Sequence, residues 1–533
     1  MRRLLMAAPV LFLTACPMVG TLPPPAEAPR LGSNSDLGPA SPPGTFDEDT
    51  TKNVALGKST AALLAKPVPA DFRKLPVAPL VWNAPLISSF ADTLSPGVVV
   101  YWVPDSSLPL ASAQFIWPEG RLALDSRQDA AASLLGAFLR DGGAGSLSST
   151  QLDDTLEFLA ARAGVSVGMV RTSASVSGLS RDLPFLLDVL TDMVTAPRFD
   201  TSRLSTLKSE SLQNLEHSFD TPAQCLELAW DRVSYGSNNW TRLTDSVDVR
   251  RLGVADFHKA LRGRFDPAHV SIAVAGSFDK PKVRNQLKAM LSRIASFRKA
   301  PPLARLDTIA PVADQAGRGV WIYDVPATQS NIRIGTRFVQ RDHPDYYPLM
   351  LASEVLGQSG FGSRLVDRVR SDEGLAYYVR SFVGSDYDRP GMIGVSLQTK
   401  VPSTGRAIQI ILEEIRHLAD SGFHAGELDK ARKGLAASVP SMFDTPEATA
   451  DMILQSAAWK RNDAHFQRYL RALDTIPESE ILRVYRKWFV PDSLRIVIAG
   501  PADELRKPFA DGSTRLDAYG PVRVWNVDSL RKE

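Results

Sequence analysis

Apolar residues along this chain follow two rhythms, and the same succession of rhythms occurs twice. Ala113–Trp117 and Ile332–Phe338 read as strands, and the Ala- and Leu-rich stretches 130–139 and 347–356 read as helices that end at glycine turns. A further strand then leads to an amphipathic helix, Leu183–Met193 in the first series and Ala407–Leu418 in the second. Another helix pair precedes a closing strand in each. Strands grouped with long helices predict an α+β layer, with helices on one face of a mainly antiparallel sheet.

The two series share residues as well as rhythm. Phe219-Asp220-Thr221-Pro222 returns as Phe443-Asp444-Thr445-Pro446, and Phe265-x-Pro267 returns as Phe489-x-Pro491. Ile272-Ala273-Val274-Ala275-Gly276 returns as Ile496-Val497-Ile498-Ala499-Gly500, so all three matches stand 224 positions apart. A period that long means a duplicated domain and not a solenoid. The expected boundaries are 80–296 for the first copy, 297–315 for a linker, 316–515 for the second copy and 516–533 for a C-terminal tail.

The two copies leave the N-terminal stretch unexplained. Arg2 and Arg3 precede a short apolar run, Leu4 to Leu13, too short to span a bilayer and suited to an export signal. Leu13-Thr14-Ala15-Cys16 resembles a bacterial lipobox, which implies a signal over 1–16, acylation of Cys16 and a periplasmic, lipid-anchored protein. Pro17 after the cysteine points by the same resemblance to the outer membrane. Residues 17–79 are rich in Pro, Gly and Ser and read as a tether. Cys225 is the only other cysteine, so no internal disulfide is expected once Cys16 is acylated, and a buried, inert thiol is the reading for Cys225.

Composition narrows the function classes. Of 533 residues, 44% are hydrophobic and 23% charged, as in a globular chain with full-sized cores. The net charge of +2 gives no electrostatic reason to expect a nucleic-acid partner.

The order of elements and one local run carry a family resemblance. Gly360-Phe361-Gly362-Ser363-Arg364-Leu365 leads into Val369-Arg370-Ser371-Asp372-Glu373-Gly374-Leu375-Ala376-Tyr377. Across nearly the whole mature chain this is similar to the pitrilysin/insulinase metallopeptidases, in which two such domains face each other as a clamshell. The resemblance implies that Gly360 and Gly362 form a glycine loop. It also implies that Arg370 and Tyr377, seven residues apart, reach a substrate held at the zinc of the other domain. An Arg fork and a Tyr hydroxyl can both donate to a scissile carbonyl oxygen as negative charge grows there. Neither supplies the attacking water.

What the family's active members need is missing. They carry H-x-x-E-H on the first helix, with two His as zinc ligands and the Glu as general base. Here the helix reads Gln128-Asp129-Ala130-Ala131-Ala132-Ser133-Leu134-Leu135-Gly136-Ala137-Phe138, without His or Glu. One register puts Ser133, Gly136 and Ala137 at the motif positions and the next puts Leu134, Ala137 and Phe138 there; neither set binds a metal. Gln213-Asn214-Leu215-Glu216-His217 imitates the motif on a later helix and reads as a solvated face. His258, His269, His343, His417, His424 and His465 show no ligand spacing joined to a carboxylate; His417 and His424, seven apart with Gly422 between them, are read as structural or exposed. Gly357-x-x-Gly360-x-Gly362 lacks the Lys-Ser/Thr of a phosphate loop, and no G-x-S-x-G is present.

The chain is therefore expected to bind no cofactor itself and to be inactive alone. The resemblance implies a non-zinc subunit that contributes Arg370, Tyr377 and half the enclosing chamber to a homologous zinc-bearing peptidase subunit acting on peptides. The alternative is a catalytically inactive peptide-binding or scaffold lipoprotein.

Overall fold

A computed structural model describes residues 82–297 and 317–532, and from Asn83 onward the chain forms one compact unit. The signal, the acylation site Cys16, the whole of the tether and most of the linker fall outside the described residues.

Each copy builds a six-stranded sheet. The first contains β1 (Ala91–Ser95), β2 (Val98–Pro104), β3 (Leu110–Trp117), β4 (Arg162–Val167), β5 (Thr172–Leu179) and β6 (Ser271–Gly276), in the order β1-β2-β6-β3-β5-β4. The second contains β7 (Gly319–Asp324), β8 (Gln329–Arg337), β9 (Ala376–Gly384), β10 (Met392–Lys400), β11 (Arg495–Gly500) and β12 (Val522–Trp525), in the order β12-β7-β11-β8-β10-β9. From the second position onward the orders are the same, including the parallel pairs β2–β6 and β7–β11 within otherwise antiparallel neighbours. The copies differ at one margin: β1 precedes its sheet in sequence, whereas β12 comes from the C-terminal stretch and adds parallel to β7.

Alternation along the strands shows how each sheet is buried. In β6, Ile272 and Val274 point into the core that the first copy's own helices cover, α1 (Ser126–Asp141) and α2 (Leu183–Thr195) among them, while Ala273 and Ala275 point to the opposite face. Both faces are apolar, which is why the run reads as continuous rather than alternating.

The opposite face is covered by a helix from the other copy. The helix α3 (Pro222–Tyr235) belongs to the first copy by sequence, yet its Leu226, Ala229, Trp230 and Val233 pack on Trp321 and Tyr323 of β7 and Val497 and Ala499 of β11. In the second copy, α4 (Tyr346–Ser353) and α5 (Thr404–Ser421) cover the sheet's own-helix face. Its α6 (Pro446–Ala458) returns the exchange, with Ala450, Ile453 and Leu454 against Val103, Ile116, Ala273 and Ala275 of the first sheet.

The repeated Phe-Asp-Thr-Pro starts both exchanged helices. Thr221 and Thr445 are the N-caps, each hydroxyl accepting from a backbone N–H three residues on, and each is followed by Pro at the first helical position. Cys225 is buried on α3, and burial pushes its thiol pKa up.

Candidate functional site

The site region of the second copy begins where α4 ends. The helix continues through a π-helical turn, Glu354–Gln358, into the glycine loop, and a second π-helical stretch, Val366–Asp372, carries Arg370. Gly360 and Gly362 have φ of +77° and +76°. The residue between them, Phe361, is 72% exposed. Lys430 braces the loop, its Nζ donating to the carbonyls of Phe361 (3.5 Å) and Gly362 (3.4 Å). Gly374, at φ +62°, makes the left-handed turn that carries the chain from the helix into β9.

That path brings Arg370 and Tyr377 together. The Arg370 guanidinium lies between two rings, 4.8 Å from the centre of Tyr377 and 4.6 Å from that of Phe361. It caps no helix carbonyl and forms no ion pair or hydrogen bond among the described residues. Tyr377 is 79% exposed on β9, the outer strand of its sheet. Sequence reasoning missed Phe361. Its only signal was an aromatic residue between two glycines, a position with no core to enter.

The first copy shows why no zinc site forms on α1. Ser133 is half-buried with its hydroxyl on the carbonyl of Ala130 (2.9 Å), and Ala137 is exposed. Gly136 lies against β4: a Cβ there would stand 2.1 Å from the carbonyl oxygen of Val165. In the other register Phe138 is fully buried, edge-on to Phe257 at 4.7 Å. None of these residues offers a ligand atom suited to zinc, so the group implied by the resemblance does not fit here.

The same close approach recurs in the second copy, where a Cβ on Gly357 would meet the backbone N of Ser381 on β9 at 2.8 Å. That correspondence places Glu354, Gly357 and Gln358 where Ser133, Gly136 and Ala137 stand in the first. Glu354 is buried, and burial pushes its pKa from 4.5 to about 7, with Arg380 opposing. The native chain therefore holds an extra proton between about pH 4.5 and 7 and loses stability as pH rises through that window. Glu354→Gln is expected to raise stability above pH 7 by on the order of 2–3 kcal/mol, with no gain below pH 4.5. Denaturant unfolding at pH 4 and pH 8 checks both halves of that statement.

One group corrects the sequence reading of the histidines. The ring of His269 lies 2.8 Å from the Asp266 carboxylate, and Glu119 joins them with ligand atoms within 4.8 Å of one another. Glu119 is far off in sequence, so only folding makes this cluster. The buried guanidinium of Arg264 sits beside Glu119 and supplies positive charge there. His217 is exposed and pairs with Asp220 at 2.6 Å, the solvated helix end expected of it.

A duplicated α+β sheet, a first helix without His or Glu and a stacked Arg–Tyr pair define a zinc-peptidase-like chain without the zinc motif. Known proteins agree. Residues 251–435 match the family model described as the peptidase M16 inactive domain. Among curated relatives, an uncharacterized zinc protease of Streptomyces coelicolor is 26% identical over 48% of this chain and 55% of its own length. The non-peptidase homolog YmxG of Helicobacter pylori is 23% identical over 48% of this chain and 58% of its own. The matches thus span little more than half of those relatives. Among solved structures, a peptidase M16 inactive domain from Pseudomonas fluorescens superposes with a TM-score of 0.67 at 22% identity, covering 77% of this chain and 98% of that one. The periplasmic protease PqqL of Escherichia coli gives 0.61 at 15%, covering 80% of this chain and 48% of that one. Residues 251–435 thus carry the likeness to the inactive M16 peptidase domain, and the chain is a homologue of proteins named zinc protease and non-peptidase homolog, itself without an H-x-x-E-H run. Among the described residues no helix is long and apolar enough to cross a membrane.

Proposed function

We propose that this chain is the non-zinc subunit of a heteromeric peptidase of the cell envelope, supplying Arg370 and Tyr377 to a substrate whose hydrolytic metal is held by a homologous partner. The observation that supports it is the Arg370 guanidinium, fixed on two exposed rings and making no ion pair or hydrogen bond among the described residues. A carbonyl oxygen that gains negative charge is the acceptor such a donor suits, and stacking pre-orients the fork without using its N–H groups. Tyr377 can add its O–H. The chain itself binds no metal in this reading, and acylation at Cys16 holds it to the outer membrane on the periplasmic side. The neighbour described as a periplasmic protease favours an exported protein.

The test is co-purification from the native envelope, with zinc content and peptide cleavage measured on the complex. Arg370→Ala is expected to lower kcat about a hundredfold, as loss of a charge-stabilising donor does, and Tyr377→Phe is expected to lower it too. Cleavage unchanged in both variants removes the role assigned to the pair. Stoichiometric zinc on the isolated chain removes the claim that it is metal-free. A complex that binds peptides and never cleaves them establishes the scaffold alternative.

A further inference from the structure

A second cationic site, half-buried, lies at the opposite end of β9. Arg341, just past β8, donates its backbone N–H to the carbonyl of Asp386 in the β9–β10 turn (2.9 Å). Its guanidinium stands 5.5 Å from the ring centre of Tyr346 and 5.2 Å from that of Tyr387. Tyr347 and Tyr469, 5.4 Å apart, continue the aromatic wall.

The charges around Arg341 are matched to one another and leave it over. Asp342 forms a two-armed pair with Arg461, one arm at 2.8 Å, and Asp388 does the same with Arg171 across the two copies, again with one arm at 2.8 Å. Asp388 also accepts from the Trp459 indole at 3.4 Å. The Asp386 carboxylate accepts from the backbone N–H groups of Tyr387 (2.6 Å) and Asp388 (3.3 Å). Among the described residues the Arg341 side chain forms no ion pair or hydrogen bond, although it is only half-buried. Burial above all, with Arg461, Arg341 and Arg468 nearby, holds the pKa of His465 down to about 4. Burial holds the Tyr347 hydroxyl protonated up to about 12, so it stays a donor.

We propose that Arg341, walled by Tyr346, Tyr387 and Tyr469, is a binding site for a carboxylate, and that the carboxylate belongs to a peptide lying along β9. The peptide part rests on the function proposed above. A planar guanidinium flanked by rings keeps its N–H edge for a two-armed carboxylate contact, and displacing water from a half-enclosed site strengthens that contact. Geometry links the two sites: β9 is the outer strand of its sheet, and from Tyr377 to Gly384 it rises roughly 23 Å. An extended segment of about seven residues therefore reaches from Arg370 to Arg341.

The test uses the full chain and three labelled heptapeptides: one with a free C-terminal carboxylate, its C-terminal amide, and an amide carrying one internal Glu. The free acid is expected to bind at least tenfold more tightly than the plain amide. Arg341→Gln is expected to erase that preference, leave the amide's affinity unchanged and keep the melting temperature; Arg341→Lys retains part of it. A preference for the Glu-bearing amide over the free acid assigns the site to acidic side chains instead of the C-terminus, with the same carboxylate chemistry. Arg370→Ala weakens all three alike and leaves the ratio intact, so failure at one end of β9 is separable from failure at the other. Equal binding of acid and both amides overturns the proposal, as does a preference that survives Arg341→Gln. If no peptide binds, the His465 titration followed by NMR decides. Trifluoroacetate, a carboxylate that stays ionised through that titration, raises the His465 midpoint in the wild type and not in Arg341→Gln, and no shift with trifluoroacetate overturns the site.

Discussion

Writing the lost motif back into α1 is expected to give neither zinc nor a stable protein. Ser133→His, Gly136→Glu and Ala137→His restore the ligand types in one register, but the second change puts a side chain where the helix touches β4. A Cβ at Gly136 stands 2.1 Å from the Val165 carbonyl oxygen and 2.9 Å from its carbon. Backbone cannot swing aside as a flexible side chain would, so helix or strand must shift. Overpacking of that kind costs about 1–3 kcal/mol, occasionally more. Gly136→Ala alone is therefore expected to destabilise, although alanine is the better helix former. The other register fails for a different reason: Phe138→His removes a ring that packs at 4.8 Å from Phe199 and 4.7 Å from Phe257. Calorimetry on Gly136→Ala and metal analysis on the triple variant check this. A Gly136→Ala protein as stable as the wild type sinks the account of close packing.

The close approach of this helix to the strand beside it occurs in both copies, through Gly136 and Gly357, so it belongs to how each copy packs its helix on its sheet. A side chain placed at either glycine has to displace backbone, and changing the ligand residues alone does not make room for it.

Much of this was legible in the sequence, and the limits have physical causes. The duplication was readable because Thr-Pro at a helix start is a local signal: a cap and a first-turn proline serve the same purpose wherever that helix then packs. The strands of the repeated Ile-x-x-Ala-Gly runs were readable too; the sequence reading placed helices on one face of each sheet, and the exchanged helices cover the other. What covers the second face was not readable. Nothing in the residues of α3 says whether they rest on their own sheet or on the other copy's, because an apolar helix face is indifferent to which apolar sheet it meets. Arg370 and Tyr377 were found through the family resemblance of the run around Gly374. Phe361 and Arg341 were missed because stacking partners and unmatched charges exist only after the chain has folded; so does the approach of Glu119, from a distant segment, to the local Asp266–His269 pair.

The exchanged helices lead to the other large expected effect, a loss of stability that crosses the copy boundary. Trp230 is fully buried, edge-on to Phe382 of β9 at 6.2 Å, and its α3 neighbours pack on β7 and β11. Trp230→Ala is expected to cost about 3–5 kcal/mol, the range for large aromatic deletions in a core, whereas Trp230→Phe keeps most of the volume and is expected to cost much less. The signature is where the loss is felt. Hydrogen exchange should quicken in β7 and β11, strands of the second copy, although the substituted residue belongs to the first by sequence. Ile453→Ala on α6 is the mirror case and should loosen β2 and β6. Because each copy's helix completes the other's core, calorimetry should show one transition moved downward by either change. Two transitions, of which only one moves, would mean that the copies fold as separate units and that the exchange adds contact without coupling. That outcome would also free the halves to move apart around Arg370, so the stability measurement bears directly on how the proposed substrate site opens.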